Sequence, residues 1–334
     1  MRERNLLSDV CKMPDADSML PPTLDIVVTR HDVLDEACFR GTGVLALFET
    51  LFPPNERDNP DDIVRWVMAD DVGERRGFTL NGKEIDYRLD SRCFILRVAE
   101  RAIGLGLFTY DYASRLIYCN YVGVQTAWRG GGMARAFYRE MCGMLDDLFP
   151  HNMGVVLEVE PFDQDRLEAI ISDLERTGAR QLDENDRAEI RKFLRVSWYH
   201  KLNYTFFIDS STWRPIACRS PCIDPSLPRL GWADEEADYW LMWHARAGES
   251  SATPDAAAGL WRRAVDAIYL EILAKSLVAA DPAGRRDYWD YATALVAQTL
   301  KRTTMVDVGL ASYLGSDDSP LLARWRHLKI DLPI

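Results

Sequence analysis

The residues best suited to chemistry lie in one run, Tyr121 to Met141, which reads YVGVQTAWRGGGMARAFYREM. A strand-like segment ends near Val124, a few residues turn, and Gly130, Gly131 and Gly132 precede an amphipathic helix. Glycines let backbone N–H groups approach a ligand, and the first N–H groups of a helix have no partner within it. With the helix dipole they make an anion site suited to a pyrophosphate. Arg129 and Arg135 flank it and add local positive charge. Other phosphate-binding turns fit less well. There is no GxGxxG with an acid about 20 residues on, and no Gly-Lys-Ser/Thr. The turn also lies mid-chain after a meander, whereas a dinucleotide turn follows the first strand of a βαβ unit.

The run Val124-x-x-x-Trp128-Arg129-Gly130-Gly131-Gly132-Met133-Ala134 resembles the acyl-CoA motif of the GNAT superfamily, V-x-x-x-[YWF]-[RQ]-[RG]-x-G-x-[GA]. Further on, Trp198-Tyr199-His200-Lys201-Leu202-Asn203-Tyr204 resembles the family's F-Y-x-K-L-G-F. Glu158-Val159-Glu160-Pro161 and the helical stretch after it are similar to a subset of bacterial members. The resemblance covers residues 24–245; residues 246–334 carry none. It implies an α+β fold, with a mixed, mostly antiparallel central sheet flanked by helices. It further implies transfer of an acetyl or other short acyl group from acetyl-CoA, or another acyl-CoA, to a primary amine. Val122, Gly123 and Val124 would hold the pantetheine arm, with a backbone N–H near Val124 polarising the thioester carbonyl. Arg129, Gly130, Gly131, Gly132, Met133, Ala134 and Arg135 would wrap the pyrophosphate. Tyr199 would protonate the departing thiolate.

Two positions depart from the family pattern. Lys192 and Arg195 stand where N-x-x-A is usual, and with Arg191 they meet either a CoA phosphate or solvent. Asn203 replaces a glycine, and Asn tolerates the left-handed backbone. Direct attack by the amine needs no covalent intermediate, so Cys119 reads as a buried structural thiol. The general base stays open. Glu158 and Glu160 fall on the same face of a strand, because side chains alternate. They are read either as proton acceptors or as strand-end ion-pair partners of Arg191 or Arg195, with Asp111 as a third candidate. Two other functions remain: a non-catalytic acyl-CoA sensor or scaffold, and an acyl-CoA decarboxylase or thioesterase.

The elements that must position these residues follow from periodicity. After a leader, 1–23, a strand is expected over 23–30, a helix over 31–52 and, after a capped, proline-bearing start at Asn59-Pro60-Asp61-Asp62, a short helix over 63–68. Strands follow at 87–98, 102–110 and 116–124, a helix at 132–149 and a strand at 154–160. Helices at 164–177 and 184–200, and strands at 204–208 and 239–243, complete the region of resemblance. The C-terminal extension, 246–334, reads as helices over 254–280, 285–301 and 320–328.

Composition narrows the partners. The 334 residues carry 52 acids against 40 Lys and Arg, a net charge of −12. That field disfavours nucleic acid and anionic membranes, and suits a cationic amine. No apolar run approaches the ~20 residues of a membrane helix, and Met1 to Lys12 lacks a signal-peptide core. A cytoplasmic protein is expected, with seven scattered cysteines reduced and no metal site. The acidic loop Glu56, Asp58, Asp61 and Asp62 reads as an ammonium attractor or a solvated helix start. The tryptophans of the C-terminal third fit an added helical layer or a homodimer contact. A tail closing over the acceptor side would favour a small-molecule amine over a protein.

Overall fold

A computed structural model describes residues 24–29, 35–53, 57–68, 75–80, 83–99, 101–129, 131–177, 182–222, 229–234, 236–246, 254–272, 274, 282–304, 306, 308–311 and 320–328. The expected leader and Gly130 lie outside them. The chain divides into two compact units, 1–76 with 88–153, and 77–87 with 154–334. The fold class is the α+β one that the motif resemblance implies.

The first unit opens with β1 (Leu24–Thr29), α1 (Glu36–Gly41), α2 (Val44–Leu51) and α3 (Pro60–Val67). A hairpin, β2 (Arg76–Leu80) and β3 (Lys83–Tyr87), follows, and all but its first residue belongs to the second unit. The first unit resumes with β4 (Leu89–Val98), β5 (Arg101–Asp111), β6 (Leu116–Val124) and α4 (Met133–Leu148). Its strands run β1–β4–β5–β6, each pair antiparallel. Because strand side chains alternate, β4 and β5 serve two cores. Cys93, Ile95, Leu105 and Leu107 pack with Phe39, Leu47, Phe48 and Ile63 of the three short helices. On the other face Phe94 meets Phe108 at 5.7 Å, and Phe108 meets Tyr138 of α4 at 6.2 Å.

The single helix expected over 31–52 is instead two. Gly43, at φ +76°, breaks it, and the Thr42 hydroxyl accepts the Val44 N–H at 3.3 Å. Only glycine adopts that φ cheaply, so the chain turns there and α2 starts afresh. The third helix starts where the sequence signals it: Asn59 caps it, accepting the Asp61 N–H at 2.9 Å, with Pro60 in its first turn.

The second unit continues with β7 (Gly154–Val159), α5 (Gln164–Thr177), α6 (Glu184–His200), β8 (Thr205–Asp209), β9 (Arg214–Pro215), β10 (Ala217–Ser220) and β11 (Ala237–Ala245). Then come α7 (Pro254–Asp266), a π-helical turn (Ala267–Glu271), α8 (Pro282–Thr303), β12 (Val308–Ala311) and α9 (Pro320–Leu328). Its strands run β7–β11–β8–β12, with β10 on β11 and β9 on β8, all antiparallel. The described residues of 246–334 are therefore woven into this unit. Val308 to Ala311 pair with Asp209 to Phe206. Trp261 of α7 lies 5.3 Å from the Phe207 ring and donates to the Thr303 hydroxyl at 3.3 Å. The hairpin joins the same unit, where Phe78 meets Trp289 at 6.0 Å.

Candidate functional site

In the first unit β6 delivers the chain to the glycine turn. Asn120 faces no residue of β5, so β6 bulges between Tyr121 and Cys119. A bulge re-aims the residues beyond it, here Val122, Gly123 and Val124. Gly123 lies close under the end of α2, where a Cβ would stand 3.0 Å from Leu51. After Val124 the chain makes a 3₁₀ turn over Thr126–Trp128. Arg129 is then tied back by its Nε, which donates to the Val124 carbonyl at 2.8 Å. Burial, with no acid beside it, lowers its guanidinium pKa.

Gly132, at φ +83°, is the N-cap of α4. It supplies no side-chain cap, and the first turn holds no acid. The contrast with neighbouring helices is informative. Asp35, Asn59, Asp163 and Asp183 cap α1, α3, α5 and α6 by accepting N–H groups at 2.7 to 3.0 Å. The first backbone bond back into α4 comes from Ala136, to Gly132, so the N–H groups of Met133, Ala134 and Arg135 have no intrahelical acceptor. A Cβ on Gly131 or Gly132 would meet nothing within 4 Å. Arg135 is exposed. This donor set suits an oxyanion such as a diphosphate. In the same unit a cavity of about 640 Å³ lies between the α1–α2 junction and the β4–β5 turn, with Arg101 and Gln125 on its wall.

Tyr199, Glu158 and Glu160 all belong to the second unit. Tyr199 sits in the last turn of α6, 8% exposed, between the rings of Trp198 at 4.9 Å and Tyr204 at 5.5 Å. Its carbonyl accepts from Leu202 and Tyr204 N–H as Asn203 turns the chain at φ +66°. The replacement of the expected glycine by Asn is thus accommodated in the left-handed region. Glu160 pairs with Arg195 at 3.2 Å and Lys192 at 4.0 Å, which engages two of the cations that stood as phosphate contacts. Arg191 pairs with Glu184. Glu158, half-buried on β7, accepts the hydroxyl of Tyr269 from the π-helical turn. Asp111 is buried and accepts the N–H groups of Ala113 and Ser114 at 3.0 and 2.8 Å, the bonding of a turn residue.

The thiols are poorly suited to attack. Burial pushes Cys119 well above its usual pKa and Cys142 up to about 12, so neither forms a thiolate near neutrality. Cys218 and Cys222 are both buried, and the described residues hold no group of three His, Cys, Asp or Glu placed for a metal ion. Among the described residues no helix is long and apolar enough to cross a membrane. Two residues that sequence reasoning passed over come into view, Tyr269 beside Glu158 and Tyr121 beside Asp58. The Tyr121 hydroxyl donates to the Asp58 carboxylate at 2.7 Å and accepts the Asp58 N–H at 2.9 Å. Sixty-three residues separate that pair, so no local signal reports it.

No family model and no curated protein matches the sequence. Among solved structures the chain is similar to a protein of Bacteroides thetaiotaomicron described as a GNAT-family acetyltransferase. The identity is 14%, over 73% of this chain and 96% of the other, with a TM-score of 0.41. It is similar to Arabidopsis thaliana NAA60 in complex with acetyl-CoA, 15% identical over 68% and 100% of the two chains, TM-score 0.34. It is also similar to an aminoglycoside acetyltransferase from an uncultured soil metagenomic sample in complex with sisomicin. That match is 14% identical over 48% and 90% of the chains, TM-score 0.28. Two of these three chains are described as acetyltransferases, and the other is described in complex with acetyl-CoA.

Proposed function

We propose that this chain is a CoA-dependent N-acyltransferase that moves an acetyl or other short acyl group to a primary amine, within a catalytic domain spanning 24–245. The observation that carries the reading is the uncapped, glycine-led start of α4 behind the bulged end of β6, flanked by Arg129 and Arg135. Its N–H groups and guanidinium groups offer what a diphosphate requires, and the motif resemblance names the diphosphate as that of acyl-CoA. Val122 to Val124 are the proposed pantetheine ladder. Tyr199 is the proposed general acid for the departing thiolate, a role open to a phenol. Glu158, with Glu160 as the alternative, is the proposed proton acceptor on the nitrogen. The acceptor is proposed to be a small molecule, in keeping with the acidic surface and the tail bound into the second unit.

Acetyl-CoA at 100 times its Kd stabilises a one-site binder by about 2.7 kcal/mol. Wild type is expected to show a thermal shift of that scale, and to release thiol from acetyl-CoA when amines are supplied. Gly132→Val, strained at φ +83°, is expected to lose most of the shift. Tyr199→Phe is expected to keep the shift and lose turnover by roughly 100-fold or more. A wild-type protein that no CoA thioester stabilises would overturn the reading.

A further inference from the structure

The loop between α2 and α3 holds a carboxylate with unusual company. Three arginines approach the loop and its helices, and each is committed elsewhere. Arg40 pairs with Asp61 and Glu36, both at 2.8 Å. Arg65 pairs with Asp62. Arg57, next in sequence to Asp58, donates to the Glu49 and Phe52 carbonyls at 2.9 Å and pairs with the Glu49 carboxylate at 3.2 Å. Asp58 alone among the described acids of this loop has no cation. Its side-chain partner is the Tyr121 hydroxyl, and its second carboxylate oxygen accepts no hydrogen bond from the described residues. Burial raises its pKa, and the phenol's hydrogen bond only partly offsets that.

The surroundings are aromatic. The Tyr121 ring lies edge-on to Phe48 at 4.8 Å and to Phe52 at 4.9 Å. Tyr121 directly precedes Val122 on β6, so this carboxylate stands, within one unit, beside the strand read above as the pantetheine ladder. A part-buried anion without a cation is costly to keep unless something cationic visits it. The Tyr121 ring beside the carboxylate adds an aromatic partner for an organic ammonium.

We propose that Asp58, oriented by Tyr121, receives the acceptor's ammonium group and takes its first proton, an inference that rests on the acyltransferase reading. The ammonium N–H bond breaks and its proton passes to a carboxylate oxygen of Asp58, leaving a neutral amine with its lone pair. That pair forms the C–N bond at the thioester carbonyl. When the C–S bond breaks, sulfur keeps the bonding pair and takes a proton from Tyr199, which is made good by the second proton lost by nitrogen, the one assigned to Glu158 above. One amide, one thiol and one proton on Asp58 result. Asp58 is a catalytic residue in this scheme, and Tyr121 a positioning residue.

The test uses the full chain with acetyl-CoA, phenethylamine as the probe and phenethyl alcohol as its uncharged control. Wild type loaded with acetyl-CoA is expected to bind the amine at least tenfold more tightly than the alcohol. Asp58→Asn is expected to erase that preference and to lower kcat/KM roughly 100-fold or more, while the thermal shift with acetyl-CoA alone stays. Glu36→Gln, at an exposed acid of α1 paired with Arg40, is expected to change neither. In wild type kcat/KM should rise with pH through the Asp58 pKa, which burial raises from its usual value, and Tyr121→Phe should move that limb. A purely structural carboxylate would leave it in place. The sign for stability is also distinctive. Since folding raises this pKa, the charge destabilises above it, so Asp58→Asn should melt higher than wild type at neutral pH, the gain fading as pH falls through the folded pKa. Equal binding of amine and alcohol by wild type, or an unchanged Asp58→Asn enzyme, overturns the proposal. Loss of the acetyl-CoA shift in wild type would instead strike the acyltransferase reading beneath it.

Discussion

Gly154 starts β7 with φ +145°, and a Cβ there would run into the backbone oxygen of His244 and stand 2.7 Å from the Trp243 ring. The strand that carries Glu158 thus begins at a residue that tolerates no side chain. Gly154→Ala is expected to cost about 2–4 kcal/mol, combining backbone strain with overpacking, measured as a lower denaturant midpoint at unchanged slope. A variant as stable as wild type would show that β7 and β11 can part without loss. Single residues also decide the electrostatics. Asp61 and Asp58 have the same side chain three positions apart, yet one is exposed beside Arg40 and the other half-buried beside a phenol.

At the scale of elements, the end of α6 is held by one residue in left-handed backbone. Asn203 carries that turn, and the turn fixes Tyr199 against Trp198 and Tyr204. Asn203→Val is expected to destabilise by about 1–2 kcal/mol, since a β-branched residue resists that φ, and to depress turnover with it. Asn203→Gly should keep both, and the pair of melting curves checks this. Elements of this length were legible in the sequence. The amphipathic stretches 164–177 and 184–200 match α5 and α6 residue for residue, because each presents an unbroken apolar stripe to its core. The antiparallel meander was legible too, from its β-branched runs. Shorter elements were not. The hairpin β2–β3 was passed over although Asn81-Gly82 between its strands is a strong turn signal. The two- and four-residue strands β9, β10 and β12 have too few residues for any period. The glycine turn was readable because its chemistry is local. The partners of Asp58 and Glu158 were not, since they arrive from 63 and 111 residues away, whereas the pairing of Glu160 with Arg195 is one that the sequence reading named.

For the molecule as a whole, the C-terminal residues count as core. Trp261 is 1% exposed, and β12 completes the ladder beside β8. Truncation after Arg246 is therefore expected to abolish cooperative melting of the second unit, while Trp261→Ala costs about 3–5 kcal/mol. Retention of a sharp transition in the truncated chain, read by calorimetry, would show that α7 to α9 are dispensable. The same strand sets a schedule for biosynthesis. Phe206 to Asp209 must wait for partners about a hundred positions later, at 308–311, so a ribosome has to add that whole stretch before this edge of β8 is covered. At 5–20 residues per second the wait lasts on the order of 5–20 s. During it an unpaired apolar strand is open to chaperones and to sister chains, which makes this edge the place where overexpression would first lead to inclusion bodies.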